Sequence, residues 1–253
     1  MSAPLKTKFL PPPTRALFKR LKGEALLENM LLVGGSALAL QIGHRLSEDL
    51  DFATLESKLP AARLDALMAT LEAEGRQVSL LTPQSQIESF RINTGRKLLN
   101  YARDYVVDGA KLTFFARGSS APPNQLAWLA QSPKSSSGEG FAVLGLAGLF
   151  AMKALVLADR ARSRDLFDLM VLIRDHGFSI DEALRLAGTL APIEKRDIER
   201  HKAVMTGAIP LDAEDEGFDS IGLAVGIADI YAFFGGEVDR YERTVARALF
   251  PRK

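Results

Sequence analysis

A single leucine separates Asp49 from Asp51, and Asp49 lies 13 residues beyond Ser36 of a Gly34-Gly35-Ser36 turn. Side chains two apart on an extended segment leave it on the same face. Two carboxylates held that close repel each other unless a cation lies with them, and divalent ions bind such oxygens well. Paired magnesium ions about 3.5–4 Å apart activate an attacking oxygen and stabilise a leaving pyrophosphate. Gly34 and Gly35 let backbone approach a phosphate without Cβ interference, and the N-terminus of a following helix offers unpaired N–H groups. Ser36 can add a hydroxyl to the phosphate or cap that helix. Singly these features are weak, because acidic pairs often begin solvated strands and Gly-Gly-Ser often marks a plain turn. At this spacing they point together to nucleotidyl transfer.

Further candidates for phosphate contact stand nearby. Arg45 can clamp triphosphate oxygens and Ser47 can hydrogen-bond them, although a solvated loop arginine is an equal reading for Arg45. Lys153 is the second strong signal, a lysine inside the almost wholly apolar run 141–158. Long lysines often carry their charge to the surface along such faces. On one continuous helix, however, Arg160, Arg164 and Asp168 project within roughly 60° of Lys153, and Asp165 about 120° away. A basic stripe ending in a carboxylate suits triphosphate and metal, and favours Asp168 over Asp165. A helix break at Ser163 would void that projection.

These residues need elements to hold them. Thr14–Asn29 reads as a helix after the prolines at 11–13. Strands are expected at Met30–Val33, Asp49–Thr54, Gln77–Leu81, Glu88–Ile92, Leu98–Val107 and Lys111–Arg117, the last two flanking a tight Asp108-Gly109 hairpin turn. Ser36–Gly43 and Ala61–Glu74 read as helices, the second stopped at Gly75. Gly118–Pro123 and Ser132–Gly140 are loop-like, with one helical turn at Gln125–Ala130. From Leu144 onward only helices are expected: Leu144–Asp159, Arg164–His176, Ile180–Ala187, Ile193–Met205 and Ile221–Leu249. The fold class is therefore α/β (α+β): a mixed sheet with helices over residues 1–120, then a helical domain over 121–253.

Composition narrows the chemistry further. The 253 residues, 47% hydrophobic and 25% charged, can bury a sizeable core. With 32 basic against 31 acidic residues there is no global field for nucleic acid, so RNA binding requires a local basic rim. Arg160, Arg162, Arg164 and the stretch 195–202 are candidates for it. The absence of cysteine excludes disulfides, thiolate catalysis and Cys-based zinc sites, and fits a cytoplasmic location. His44, His176 and His201 are too scattered for a zinc constellation. No signal peptide is expected, and Lys153 argues against a membrane span over 141–158.

At these residues the chain resembles the AbiEii/AbiGii toxin family of nucleotidyltransferases, known from abortive-infection toxin–antitoxin systems and related to the polymerase-beta-like superfamily. The likeness rests on Gly-Gly-Ser-Ala-Leu-Ala-Leu (34–40), His-Arg-Leu-Ser-Glu-Asp-Leu-Asp-Phe (44–52), and Lys153 with Arg-Asp-Leu-Phe-Asp-Leu (164–169), and spans roughly residues 14–190. The resemblance implies a minimal nucleotidyltransferase fold joined to a helical bundle, using an NTP and two magnesium ions. Gly35 and Ser36 would form the nucleotide loop, with Gly34 beside them, and Asp49 and Asp51 the metal ligands. Lys153 would contact the triphosphate, and Asp168 would be the late acid near the metal or the acceptor hydroxyl. Relatives modify the 3′ end of tRNA, and an antitoxin counters them. In one respect the chain departs from the superfamily: Thr113 stands where a third carboxylate is usual on a neighbouring strand. Either Asp168 completes the metal site or the site is weakened. Two other readings remain at this point: transfer to a protein or small-molecule hydroxyl, and a nucleotide-binding regulator without catalysis.

Overall fold

The computed structural model of the protein describes residues 4–116, 134–136, 140–190 and 197–249, with backbone alone at 134–136. The chain divides into two compact units, Met1–Leu149 and Phe150–Lys253.

The first unit is built on one mixed sheet. Its strands are β1 (Leu31–Val33), β2 (Leu50–Thr54), β3 (Val78–Leu80), β4 (Ala102–Val107), β5 (Ala110–Ala116), β6 (Lys134–Ser136) and β7 (Ala142–Leu144), in the order β3-β4-β5-β2-β1-β7-β6. β2 runs antiparallel to β1 and parallel to β5. The hairpin at Asp108-Gly109 forms as expected, with both residues at positive φ (49° and 84°). Two strands of the sheet follow residue 120, which carries this unit on to Leu149. Alternation along β2 decides which side chains meet the core. Phe52 is fully buried, 5.6 Å from Phe114 and 4.9 Å from Phe141 between ring centroids, while Asp51 leaves on the opposite face.

Helices α1 (Pro12–Leu21), α2 (Gly34–Ile42), α3 (Ala61–Ala73) and α4 (Gln84–Thr94) belong to the same unit. Three expectations need correction. The first helix does not reach Asn29: it ends at Leu21 before Gly23, whose φ of 82° ends the helical path, and a 3-10 turn follows at Ala25–Leu27. Glu88–Ile92 is not a strand but the middle of α4, which Pro83 precedes and left-handed Gly95 caps. The stretch expected as a loop over 132–140 contains β6. The helical turn expected at Gln125–Ala130, with Trp128, lies outside the described residues.

Beyond β7 the regular elements among the described residues are helices, as expected, although Leu144 belongs to β7, the helix expected to reach Asp159 ends at Val156, and the last helix starts at Ile227 rather than Ile221. α5 (Leu146–Val156) begins in the first unit and continues into the second, followed by α6 (Ser163–His176), α7 (Ile180–Leu190), α8 (Ile198–Met205) and α9 (Ile227–Leu249). α6 is the hub of the second unit, with Asp165 through Ile173 all buried. Among the described residues no helix is long and apolar enough to cross a membrane.

His201 on α8 is fully buried, and its Nδ1–H donates to the Asp197 carbonyl at 2.7 Å. Burial pushes its pKa below the ordinary histidine value, against the pull of Asp197. The unfolded chain therefore binds a proton that the folded chain refuses, and stability falls as pH drops through the unfolded value. Denaturant unfolding should show this loss from about pH 7 to about pH 5, and His201→Gln should flatten the curve there.

Candidate active site

The glycine turn and the acidic doublet meet at one edge of the β1–β2 pair. Val33 registers with Asp51 across the antiparallel ladder, so the chain leaving β1 turns directly over the Asp51 side chain. Gly34 makes that turn with a φ of 71°, and a Cβ there would sit 2.5 Å from Asp51 Oδ2. Only glycine meets both demands without strain. Gly35 is equally crowded: a Cβ would lie 2.6 Å from Arg45 Nη2 and 2.9 Å from Ser47 Oγ. The helix thus begins at Gly34, two residues earlier than expected, and Ser36 does not cap it, since the cap position is Val33.

Ser36 has a different task. Its side chain is 0% exposed, and its hydroxyl donates to the Asp49 carbonyl in a very short contact. The Ser36 and Ser47 hydroxyls are 3.0 Å apart. A serine has one hydrogen to give, so Ser47 donates in that second bond. The pair holds the segment ahead of β2, where Asp49 sits one residue before the strand begins at Leu50. Arg45 is buried as well, with Nη1 donating to the Leu46 carbonyl at 2.9 Å and Nη2 lying beside Gly35. Gly34, Gly35, Ser36, Arg45, Ser47, Asp49 and Asp51 are therefore brought together in one unit.

The register explains the missing third acid. Asp51 pairs with Thr113 on β5, and Thr113 pairs with Asp104 on β4, so Val33, Asp51, Thr113 and Asp104 form one row on one face. Thr113 Oγ1 donates to Asp104 Oδ1 at 2.9 Å. A carboxylate is present in the row, one strand beyond the usual place and about 10 Å from Asp51 at ordinary strand spacing. Asp104 was not among the residues singled out from the sequence. Counting back from the Asp108-Gly109 turn would have found it, because pairing Val107 with Ala110 forces Asp104 opposite Thr113.

In the second unit Lys153 is 6% exposed and bound to two carboxylates, Asp165 Oδ1 at 2.5 Å and Asp168 Oδ2 at 2.7 Å. Arg160 Nε completes the group, 2.8 Å from Asp165 Oδ2. Lys153 and Arg160 thus share Asp165. Burial pushes the Asp165 carboxyl up, but the charges of Lys153 and Arg160 and their hydrogen bonds leave it below the ordinary aspartate value. The single-helix projection fails, since α5 ends at Val156 and α6 begins at Ser163. That break brings Asp165 and Asp168 together onto Lys153, and the wheel's preference between them has no basis. Arg164 points elsewhere, with Nη1 2.7 Å from Glu216 Oε2 and Nε donating to the Gly217 carbonyl.

The Gly34 turn thus folds over the Asp51 carboxylate, with the Asp49 backbone tied to Ser36 and the buried Arg45 beside Gly35. Residues 15–233 match the family described as "Nucleotidyl transferase AbiEii toxin, Type IV TA system". The chain belongs to that family. It is 26% identical over 175 residues to the uncharacterized protein aq_aa25 of Aquifex aeolicus (strain VF5), covering 68% of this chain and 71% of that one. Among solved structures it is similar to JHP933 of Helicobacter pylori at 16% identity and a TM-score of 0.49, covering 92% of each chain. It is also similar to MenT4, the nucleotidyltransferase toxin Rv2826c of Mycobacterium tuberculosis H37Rv, at 16% identity and a TM-score of 0.45, covering 93% of this chain and 91% of that one. At those scores neither likeness bears on function here.

Two predictions follow from the geometry. Gly34→Ala must leave the left-handed region or displace Asp51, and should cost about 1–2 kcal/mol in denaturant unfolding. Gly75→Ala, also at positive φ but with open space around it, should cost no more than the backbone share of that. Lys153→Met leaves buried carboxylates short of a partner and should cost about 3–5 kcal/mol, with the Lys153→Met/Asp168→Asn double variant recovering part of the loss.

Proposed function

We propose that the protein transfers a nucleoside monophosphate from an NTP to a hydroxyl of an RNA acceptor, the 3′ end of tRNA, and acts as the toxin of an AbiE-like pair. The observation that carries this reading is the Asp51 carboxylate seated over Gly34 at the head of α2, with the Asp49 backbone tied to Ser36 of the same turn. Asp49 and Asp51 are the proposed metal ligands. Two carboxylates fit magnesium, which takes one or two from a protein and fills its remaining positions with water and phosphate oxygens. Such ions, when bound, would assist ionisation of the acceptor hydroxyl and offset the charge of the departing pyrophosphate.

The chain's own residues do the rest. Gly34 and Gly35, which carry no Cβ, are the proposed point of approach for a phosphate to the first turn of α2. Arg45, beside Gly35, supplies a guanidinium for phosphate oxygens. Ser36 and Ser47 act through the Asp49 backbone, which they hold, more than through direct contact. Lys153 is the proposed cation for the triphosphate. Its head is oriented by Asp165 and Asp168, and Asp168 is proposed as the late acid of the reaction. A cognate antitoxin is the proposed protein partner, and the cytoplasm the proposed location.

The test is incorporation of labelled NTPs into total RNA, with tRNA resolved from the rest. Label should enter tRNA at its 3′ end only with a divalent ion, and Asp49→Ala should lower it by about 100-fold or more. Incorporation that survives Asp49→Ala contradicts the mechanism. Label found in protein moves the acceptor away from RNA, and binding without transfer favours a regulator.

A further inference from the structure

The segment His44–Glu48 has no regular secondary structure, yet it must present Asp49 at a fixed place. A carboxylate on a loose loop pays ordering entropy each time it binds a ligand. Two of the bonds on this segment come from within the glycine–aspartate motif, the Ser36 contact to Asp49 and the Arg45 contact to Leu46. Two others come from outside it. The Ser47 amide donates to the Phe9 carbonyl at 3.0 Å, and Thr14 Oγ1 donates to the Glu48 carbonyl at 2.6 Å.

Thr14 is in an unusual position to do this. It lies in the first turn of α1, where Pro12 and Pro13 offer no N–H for a side chain to cap. Here no side chain caps α1, whose cap residue is Pro11, and the buried Thr14 hydroxyl goes instead to the peptide immediately before Asp49. The stretch ahead of it is itself anchored. The Lys6 amide donates to the Leu40 carbonyl at 2.7 Å, Lys6 Nζ to the Ile42 carbonyl at 2.9 Å, and the Phe9 ring lies against Gly43. Arg15 in turn donates to the Leu10 and Lys8 carbonyls. The N-terminal strap and α1 therefore grip the far end of α2 and the approach to Asp49 at once.

We infer that Thr14 is a positioning residue for Asp49, setting the divalent-ion affinity of the doublet from outside the motif. The inference rests on the metal role proposed above for Asp49. Manganese binding to the full chain, followed by electron paramagnetic resonance, tests it without requiring turnover. Thr14→Val removes the hydroxyl at nearly constant shape and should raise the manganese concentration for half-saturation about tenfold. Thr14→Ser keeps the hydroxyl and should restore affinity to within about twofold of the parent. In transfer assays the Thr14→Val defect should be largely recovered by excess metal, leaving kcat near the parent value. Met68→Ala, a core change on α3 far along the chain, should lower stability without moving manganese affinity. If Asp49→Ala abolishes binding but Thr14→Val does not weaken it, or Met68→Ala weakens it equally, the positioning role is wrong and the metal site stands. If Asp49→Ala leaves binding intact, the metal site itself falls and takes the inference with it. Should Thr14→Val not fold, Thr14→Ala against Thr14→Ser makes the same comparison.

Discussion

Between β1 and α2 the chain turns at Gly34 with a φ of 71°, and the Asp51 carboxylate fills the space where any other residue would carry its Cβ. That approach couples three elements. β1 and β2 must pair with Val33 opposite Asp51, α2 must start where β1 stops, and the side chain at 51 must be short enough to fit against Gly34. Everything local follows from it. With Gly34 under Asp51, Gly35 falls beside Arg45 and Ser47, and Ser36 is left inside, where its hydroxyl meets the Asp49 carbonyl. The polar groups of the turn thus hold each other.

The buried cluster of the second unit is a different kind of device. Taking Lys153, Asp165 and Asp168 out of water is costly, and well-packed apolar residues often do as well or better for stability. The ion pairs among Lys153, Asp165, Asp168 and Arg160 are therefore weak evidence for a stability role.

Much of this was legible in the sequence, and the failures have identifiable causes. The turn, the doublet and the hairpin are set by local chemistry: glycine's freedom at positive φ, period-two alternation and the Asp-Gly turn. Helix and strand compete most closely in short apolar runs, and Glu88–Ile92 shows why. Its alternation suits a strand, but Pro83 and Gly95 bracket a helix on which Ile87 and Phe90 share the half-buried side. The wheel argument for Lys153 found the right neighbourhood through a continuous helix that does not exist, because the chain breaks between Val156 and Ser163. Thr14 was invisible for another reason. Its partner is a backbone carbonyl 34 residues away, and a carbonyl carries no sequence signal.

The central claim, that a divalent ion binds at Asp49 and Asp51 beside the Gly34 turn, is most directly tested by iron-mediated backbone cleavage. Ferrous ion substituted into the site, with ascorbate and peroxide, generates radicals that cut the chain next to the metal. The account predicts cuts at the head of α2 and at the start of β2, suppressed by excess magnesium. Cleavage elsewhere, or cuts at those places that persist under magnesium, would contradict it.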